Sequence, residues 1–201
     1  VPLLCSPNNP TGGTVSRELV RRLCAVSGVV LVDQAYVDFA EPEDDLLPLL
    51  PELPNLVLFR TLSKAYSVAG LRVGYAAARP DVADEIGKAI LPFSVDVGAE
   101  EIALAALAGS EEVRARCRAI AAERERVGAA LRALGAKVAP SRANFLFLVP
   151  PGGDGGRLYR DLRARGVLVR DLSGVAPGAV RVSIGTPEEN DLFLTTLKEV
   201  L

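Results

Sequence analysis

Histidine, methionine and tryptophan are absent from these 201 residues. Without histidine, the usual general base near neutral pH and most zinc-ligand sets are excluded, so proton transfer falls to lysine, tyrosine or carboxylates. Without methionine there is no initiator, and the chain opens on the apolar, strand-like Val1-Pro2-Leu3-Leu4-Cys5. The expectation is a piece of something longer. Cysteine is scarce: Cys5, Cys24 and Cys117 are odd in number and widely separated, with neither metal-ligand spacing nor a disulfide framework. Free, mostly buried thiols in a reducing cytoplasm are expected. Long apolar runs are missing too, since Val29-Val30-Leu31-Val32 is far too short for a bilayer, and no basic leading region marks a secretory signal. The net charge of -2 comes with no Lys/Arg-rich stripe or tail, so neither nucleic acid nor membrane is an expected partner.

What is present can build a core, with 49% of residues hydrophobic. Val1 to Cys5 reads as a strand entering a Pro/Gly turn, and Ser16 as the N-cap of a helix to about Val26. The apolar stretches Val29 to Asp33 and Asn55 to Phe59 read as buried strands, and Val73 to Ala78 as a further strand. A Pro- and acid-rich loop, Glu41 to Pro54, lies between the first two, with a helical turn at Leu46 to Leu50. Arg60 to Leu71 reads as a loop, and Asp81 opens a helix ending near Leu91. From Gly98 the texture changes to two long helical stretches broken near Gly109. Strand readings come next for Lys137 to Val149 (interrupted at Pro140-Ser141), Val167 to Arg170 and Val180 to Ile184. Leu158 to Arg165 reads as a helix, and so does Pro187 to Leu201, with Pro187 in its first turn. The first half thus has the alternation of a mainly parallel α/β sheet, and the second reads as a smaller α+β unit. The expected division is 1–108 and 109–201.

Four local signals stand in order at predicted strand ends, where open α/β sheets bind ligands. They are Asn9-Pro10-Thr11-Gly12, then Asp33 with Tyr36, then Thr61-Leu62-Ser63-Lys64, then Arg72 inside Ala69-Gly70-Leu71-Arg72-Val73-Gly74-Tyr75. Singly each is bland: a turn, a strand terminus, a solvated lysine, a surface arginine. Together they suit one chemistry. A lysine that condenses with an aldehyde needs a neutral amine. A pyridine ring draws electrons only while its nitrogen is protonated, a state a fixed carboxylate such as Asp33 would hold. Asn9 and Tyr36 could donate to a phenolic oxygen, and Thr61, Ser63 and Arg72 to a phosphate.

On these motifs the chain resembles the fold-type-I aminotransferases that use pyridoxal 5'-phosphate. The resemblance implies that Lys64 forms the Schiff base with the cofactor and shuttles the proton. It also implies that Asp33 pairs with the pyridine nitrogen, that Asn9 and Tyr36 face the 3-oxygen, and that Thr61, Ser63 and Arg72 hold the phosphate. Arg181, in Val180-Arg181-Val182-Ser183, matches the arginine that clamps the substrate carboxylate. Asp33-Gln34-Ala35-Tyr36, Arg181-Val182-Ser183-Ile184-Gly185-Thr186 and Gly166-Val167-Leu168-Val169-Arg170-Asp171 look most like the histidinol-phosphate aminotransferases. By that likeness Arg170 grips a substrate phosphate, and Asn144 lies near the same site. An ordinary surface arginine is the competing reading of Arg170.

The implied activity is amino transfer from L-histidinol phosphate to 2-oxoglutarate, in histidine biosynthesis. An aromatic-amino-acid transaminase, a threonine-phosphate decarboxylase or a truncated, non-catalytic fragment stand as alternatives. The implied partners are a small amino donor and a 2-oxo acid, with a homodimer in the cytoplasm. The family's amino-terminal half, which completes the phosphate cup and the ring-stacking aromatic, has no counterpart before Val1. Ser94 stands where close relatives carry Asn.

Overall fold

The computed structural model describes residues 1–201. The chain divides into two compact units, Val1–Asn8 with Thr14–Cys117, and Asn9–Gly13 with Arg118–Leu201.

Three short apolar runs in the first unit pair as parallel strands, β1 (Leu3–Cys5), β2 (Val30–Asp33) and β3 (Leu56–Thr61). The antiparallel β4 (Gly74–Ala77) closes the order β1-β2-β3-β4. One face of the sheet presents Val30, Val32, Leu56 and Leu58, all at 0% exposure, because alternate residues of a strand share a face. They are covered by Val20 and Cys24 of α1 (Arg17–Val26) and by Leu46 and Leu49 of the acidic loop. α1 starts where Ser16 Oγ accepts from the Leu19 N–H at 3.1 Å. It ends where the Asn55 amide donates to the carbonyls of Cys24 (2.9 Å) and Ser27 (2.8 Å). Both helix ends thus recover orphan backbone groups from side chains. The acidic loop forms short 3-10 turns at Val37–Phe39, Pro42–Asp44 and Leu47–Leu49. After β4 come α2 (Pro80–Gly87) and α3 (Val97–Ala108), the latter capped by Asp96. α3 carries apolar side chains all round, and Ile102, Leu104 and Leu107 are exposed.

The 24-residue α4 (Ser110–Ala133) leads into the second unit. There β5 (Lys137–Val138), β6 (Phe145–Val149), β7 (Arg170–Asp171) and β8 (Val180–Ser183) form an antiparallel sheet in the order β5-β6-β8-β7. Leu146, Leu148, Val180 and Val182 lie on one face against α4, α5 (Gly155–Ala164) and α6 (Pro187–Val200). α6 begins with a capping box, in which Thr186 and Glu189 each satisfy the other's backbone N–H, and Pro187 sits in its first turn. None of the helices is long and apolar enough to cross a membrane.

Several sequence expectations shift. β3 runs on to Thr61, so Arg60 and Thr61 lie in a strand rather than in a loop. α5 starts at Gly155, three residues before the expected Leu158, because Asp154 caps it by accepting from the Arg157 N–H at 2.8 Å. The helix after Pro80 stops at Gly87, short of Leu91. Val167 to Val169 is not ladder-paired: Val167 and Val169 pack on the core while Leu168 faces out, and pairing is confined to Arg170–Asp171. Val113 and Cys117, in the first turns of α4, are both buried.

Leu148 is wholly buried in β6 and Leu168 is 74% exposed. Leu148→Ala is expected to destabilise the fold by about 2–5 kcal/mol and Leu168→Ala by well under about 1 kcal/mol, read by urea denaturation.

Candidate active site

The parallel register sets Cys5 beside Asp33, and Asp33 beside Phe59, so β1 and β2 end at one level and β3 runs two residues further in the same direction. The ladder continues one residue beyond, with the Ser6 N–H on Asp33 O and the Gln34 N–H on Phe59 O, both 2.8 Å. The two segments after β2 and β3 carry most of the expected residues. Asp33 is half-buried, and its Oδ1 accepts from the Ala35 N–H at 2.8 Å, an Asx turn that leaves the second oxygen for another donor. Tyr36 is 8% exposed. Lys64 Nζ stands 5.7 Å from the centroid of its ring, so the exposed amine shares a surface with Asp33's turn.

Thr61 Oγ1 lies 2.9 Å from Ser63 Oγ and 3.1 Å from the Val73 carbonyl, and accepts from the Ser63 N–H at 3.1 Å. Where its one proton goes to Ser63 Oγ, the Ser63 hydroxyl keeps its own proton for another acceptor. Arg72 is exposed and holds a left-handed backbone (φ 56, ψ 33), with Nη1 on the Ala69 carbonyl at 2.9 Å. A non-glycine residue there costs on the order of 1–2 kcal/mol, strain of a kind that clusters at ligand sites. Tyr66 comes two residues after Lys64. Burial, reinforced by the charge of Asp38, pushes its phenol above the ordinary value, so it stays a neutral donor through physiological pH.

The second unit gathers the others. Arg181 of β8 lies with its guanidinium carbon 4.9 Å from the ring centroid of Phe145, and its Nη1 donates to Asn9 Oδ1 at 2.7 Å. That bond turns Asn9's NH2 away from the arginine and leaves it free to donate elsewhere. Arg181 Nε is buried without a hydrogen-bond partner. Arg170 of β7 is directly opposite Arg181 in the antiparallel register, so both side chains leave the sheet on the same face. Asn144, half-buried just before β6, receives the Ile184 N–H on its carbonyl at 2.9 Å. The ten expected residues therefore fall into two groups: Asp33, Tyr36, Thr61, Ser63, Lys64 and Arg72 in the first unit, and Asn9, Asn144, Arg170 and Arg181 in the second.

A family profile for the class I and II aminotransferases matches residues 2–197. The chain belongs to that family. It is 43% identical to a histidinol-phosphate aminotransferase of Streptomyces avermitilis, covering 100% of this chain and 54% of that protein. It is 42% identical to an aromatic amino acid aminotransferase of Mycobacteroides abscessus, covering 95% and 55%. The solved histidinol-phosphate aminotransferase of Sinorhizobium meliloti, in complex with pyridoxal-5'-phosphate, superposes with a TM-score of 0.87 at 27% identity, over 98% of this chain and 56% of that one. The chain thus spans about half the length of the curated relatives it matches.

Residues that the sequence did not single out hold these groups in place. Gln34, 1% exposed, accepts from Arg60 Nη2 at 3.1 Å and donates to the Asp44 carbonyl at 3.2 Å. Arg60 also forms an ion pair with Asp45. Arg17 joins them, donating to the carbonyls of Pro42 (3.2 Å) and Asp45 (2.9 Å). The one signal for Arg60 was a cation ending a wholly apolar run. The turn bearing Asp33 and Tyr36 therefore rests on a polar brace. Arg60→Met, which leaves Gln34 and Asp45 without their donor, is expected to cost about 1.5–3 kcal/mol of stability, read from the denaturation midpoint of matched samples.

Proposed function

We propose that this chain carries the cofactor-holding and substrate-anion residues of a pyridoxal-5'-phosphate aminotransferase, with Lys64 as the lysine bonded to the cofactor. The observation that carries the reading is the convergence at the ends of β2 and β3: an amine, a carboxylate with one oxygen uncommitted, a buried tyrosine and paired hydroxyls. This donor set fits the group. Asp33 suits a protonated ring nitrogen, Tyr36 and the Asn9 amide suit a phenolic oxygen, and Thr61, Ser63 and Arg72 suit a phosphate. The left-handed backbone of Arg72 is strain that a bound dianion would justify.

Pyridoxal phosphate supplies an aldehyde that condenses with amines and a ring that draws electrons from the substrate's α-carbon. The protein's share is positioning and proton traffic. Lys64 Nζ would hold the cofactor and would serve as the base that carries the proton of the substrate's α-carbon. Asp33 keeps the ring nitrogen protonated. Arg181 binds the substrate anion, a role supported by its place over the Phe145 ring and opposite Arg170.

For the amino donor we favour L-histidinol phosphate, with 2-oxoglutarate as acceptor. Two arginines directly opposite across β7 and β8 repel one another unless an anion lies between them. A phosphate, with three acceptor oxygens and nearly two charges, uses a pair of guanidinium forks better than a carboxylate does. An aromatic amino acid is the second reading, favoured by the M. abscessus relative. The division of labour between residues 1–108 and 109–201, a cytoplasmic location and a homodimer belong to the same proposal and rest on the family resemblance.

Borohydride reduction of the full-length protein loaded with cofactor, with peptide mapping of the product, is expected to find the pyridoxyl group on Lys64. A label on Lys88, Lys137 or Lys198 removes the assignment. In the same protein, Arg170→Ala is expected to weaken histidinol phosphate at least about tenfold, the worth of one charge-assisted hydrogen bond. An aromatic amino acid should lose much less, and equal losses for the two would favour the aromatic reading.

A further inference from the structure

Arg124 of α4 is 2% exposed and is the bulkiest of the fully buried side chains. Its carboxylate neighbour, Glu125, lies 3.3 Å from Nε and is 67% exposed, a weak ionic partner for a cation taken out of water. A guanidinium is expensive to bury, and one of the bonds that offset the cost runs to a backbone: Nη1 donates to the Ala143 carbonyl at 3.1 Å.

Ala143 lies inside a tight turn. Ser141 Oγ accepts from the Ala143 N–H at 3.1 Å and donates to the Phe145 carbonyl at 2.7 Å, closing residues 141–145 on themselves. Three groups of the second unit rest on this turn. The Arg142 N–H donates to Gly12 O at 2.8 Å, and Gly12 sits so close that a Cβ would fall 2.2 Å from Ser141 Oγ, at a φ of +80. Three residues before Gly12, Asn9 takes the 2.7 Å bond from Arg181. Phe145 supplies the ring beneath the Arg181 guanidinium, and Asn144 O fixes the Ile184 N–H beyond the end of β8.

We infer that Arg124 is a positioning residue: through the 141–145 turn it sets Asn9 against Arg181 and so fixes the affinity for the substrate's anionic group. This rests on the reading that Asn9 and Arg181 serve cofactor and substrate. Arg124 touches neither of them. Its effect runs through Ala143 on one side of the turn and Gly12 on the other, so a change at either end should be read out in the same quantity.

The test uses the full-length protein with bound cofactor, and three variants: Arg124→Met, Arg124→Lys and Gly12→Ala. Binding of succinate, an unreactive dicarboxylate, is monitored through the visible absorbance of the cofactor, beside KM and kcat for the amino donor. Arg124→Met is expected to raise the succinate Kd and the KM about tenfold with kcat within about twofold, and Arg124→Lys to recover most of the loss. Gly12→Ala is expected to do the same as Arg124→Met. The double variant should be no worse than the poorer single one, because both act through one turn. Unchanged Kd and KM in Arg124→Met, or a fully additive double variant, would overturn the inference. Should Arg124→Met not fold, Gly12→Ala decides: a raised Kd supports the inference and an unchanged one overturns it. Failure of the underlying reading is seen separately, as loss of the pyridoxyl label from Lys64 in the unmodified protein.

Discussion

The parallel pairing of β1, β2 and β3 is the constraint on which the first unit depends. Parallel strands cannot be joined by a hairpin, so each link must return the chain to the sheet's starting edge before the next strand begins. α1 makes one return and the acidic loop the other. In consequence every strand ends at the same side, and residues far apart in sequence, such as Asp33 and Lys64, arrive together. The ladder bonds that continue past the strand ends, at Ser6 and Gln34, extend this order into the loops that carry the side chains.

Arginine does much of the holding. Arg17, Arg60 and Arg124 each donate to a loop carbonyl or carboxylate far away in sequence. A guanidinium offers five donors in a fixed plane, so one side chain can bind a strand end and a loop at once. Burying such a cation brings no large net stability of its own. What it contributes is a defined geometry, because removing it strands acceptors already withdrawn from water. Arg181 differs from these braces. Like Arg17 and Arg60 it has a buried Nε with no partner, but it also faces an aromatic ring and stands opposite a second arginine. Such an arrangement is poor as structure and apt as an anion site.

The Asn9–Gly13 turn unites the two themes. Its flanks are tied in the first unit, where Ser6 Oγ accepts from the Val15 N–H at 3.0 Å, while the turn itself is held in the second by the 141–145 turn and Arg181. Motif spacing could mark Asn9 as a candidate. It could not show that the amide oxygen is committed to an arginine 172 residues later.

Helix starts, buried strands and the order of the motifs were legible in the chain, because they depend on interactions across three or four residues. Ser16 and Thr186 each cap the helix that begins at the next residue, and alternation places Val30 and Val32 on one face. Misplaced boundaries, at Thr61, Gly155 and Arg170, arose where a strand or cap was settled by a partner element or by a side chain outside the apolar run. Lys64, Asp33 and Tyr36 were named from type and spacing and Arg181 from the family resemblance, and the family is shown by the profile match. Gln34, Arg60, Arg124 and Ser141 were not. Nothing local separates Arg124 from the other arginines of α4, since its burial is fixed by what packs on the helix and one of its bonds goes to a carbonyl 19 residues away. The sequence by itself determined which chemical groups are present and in what order they stand along the chain. Only the tertiary structure decided which carbonyls and amides those groups satisfy, because hydrogen bonds between distant segments exist only once the sheets have brought them within about 3 Å.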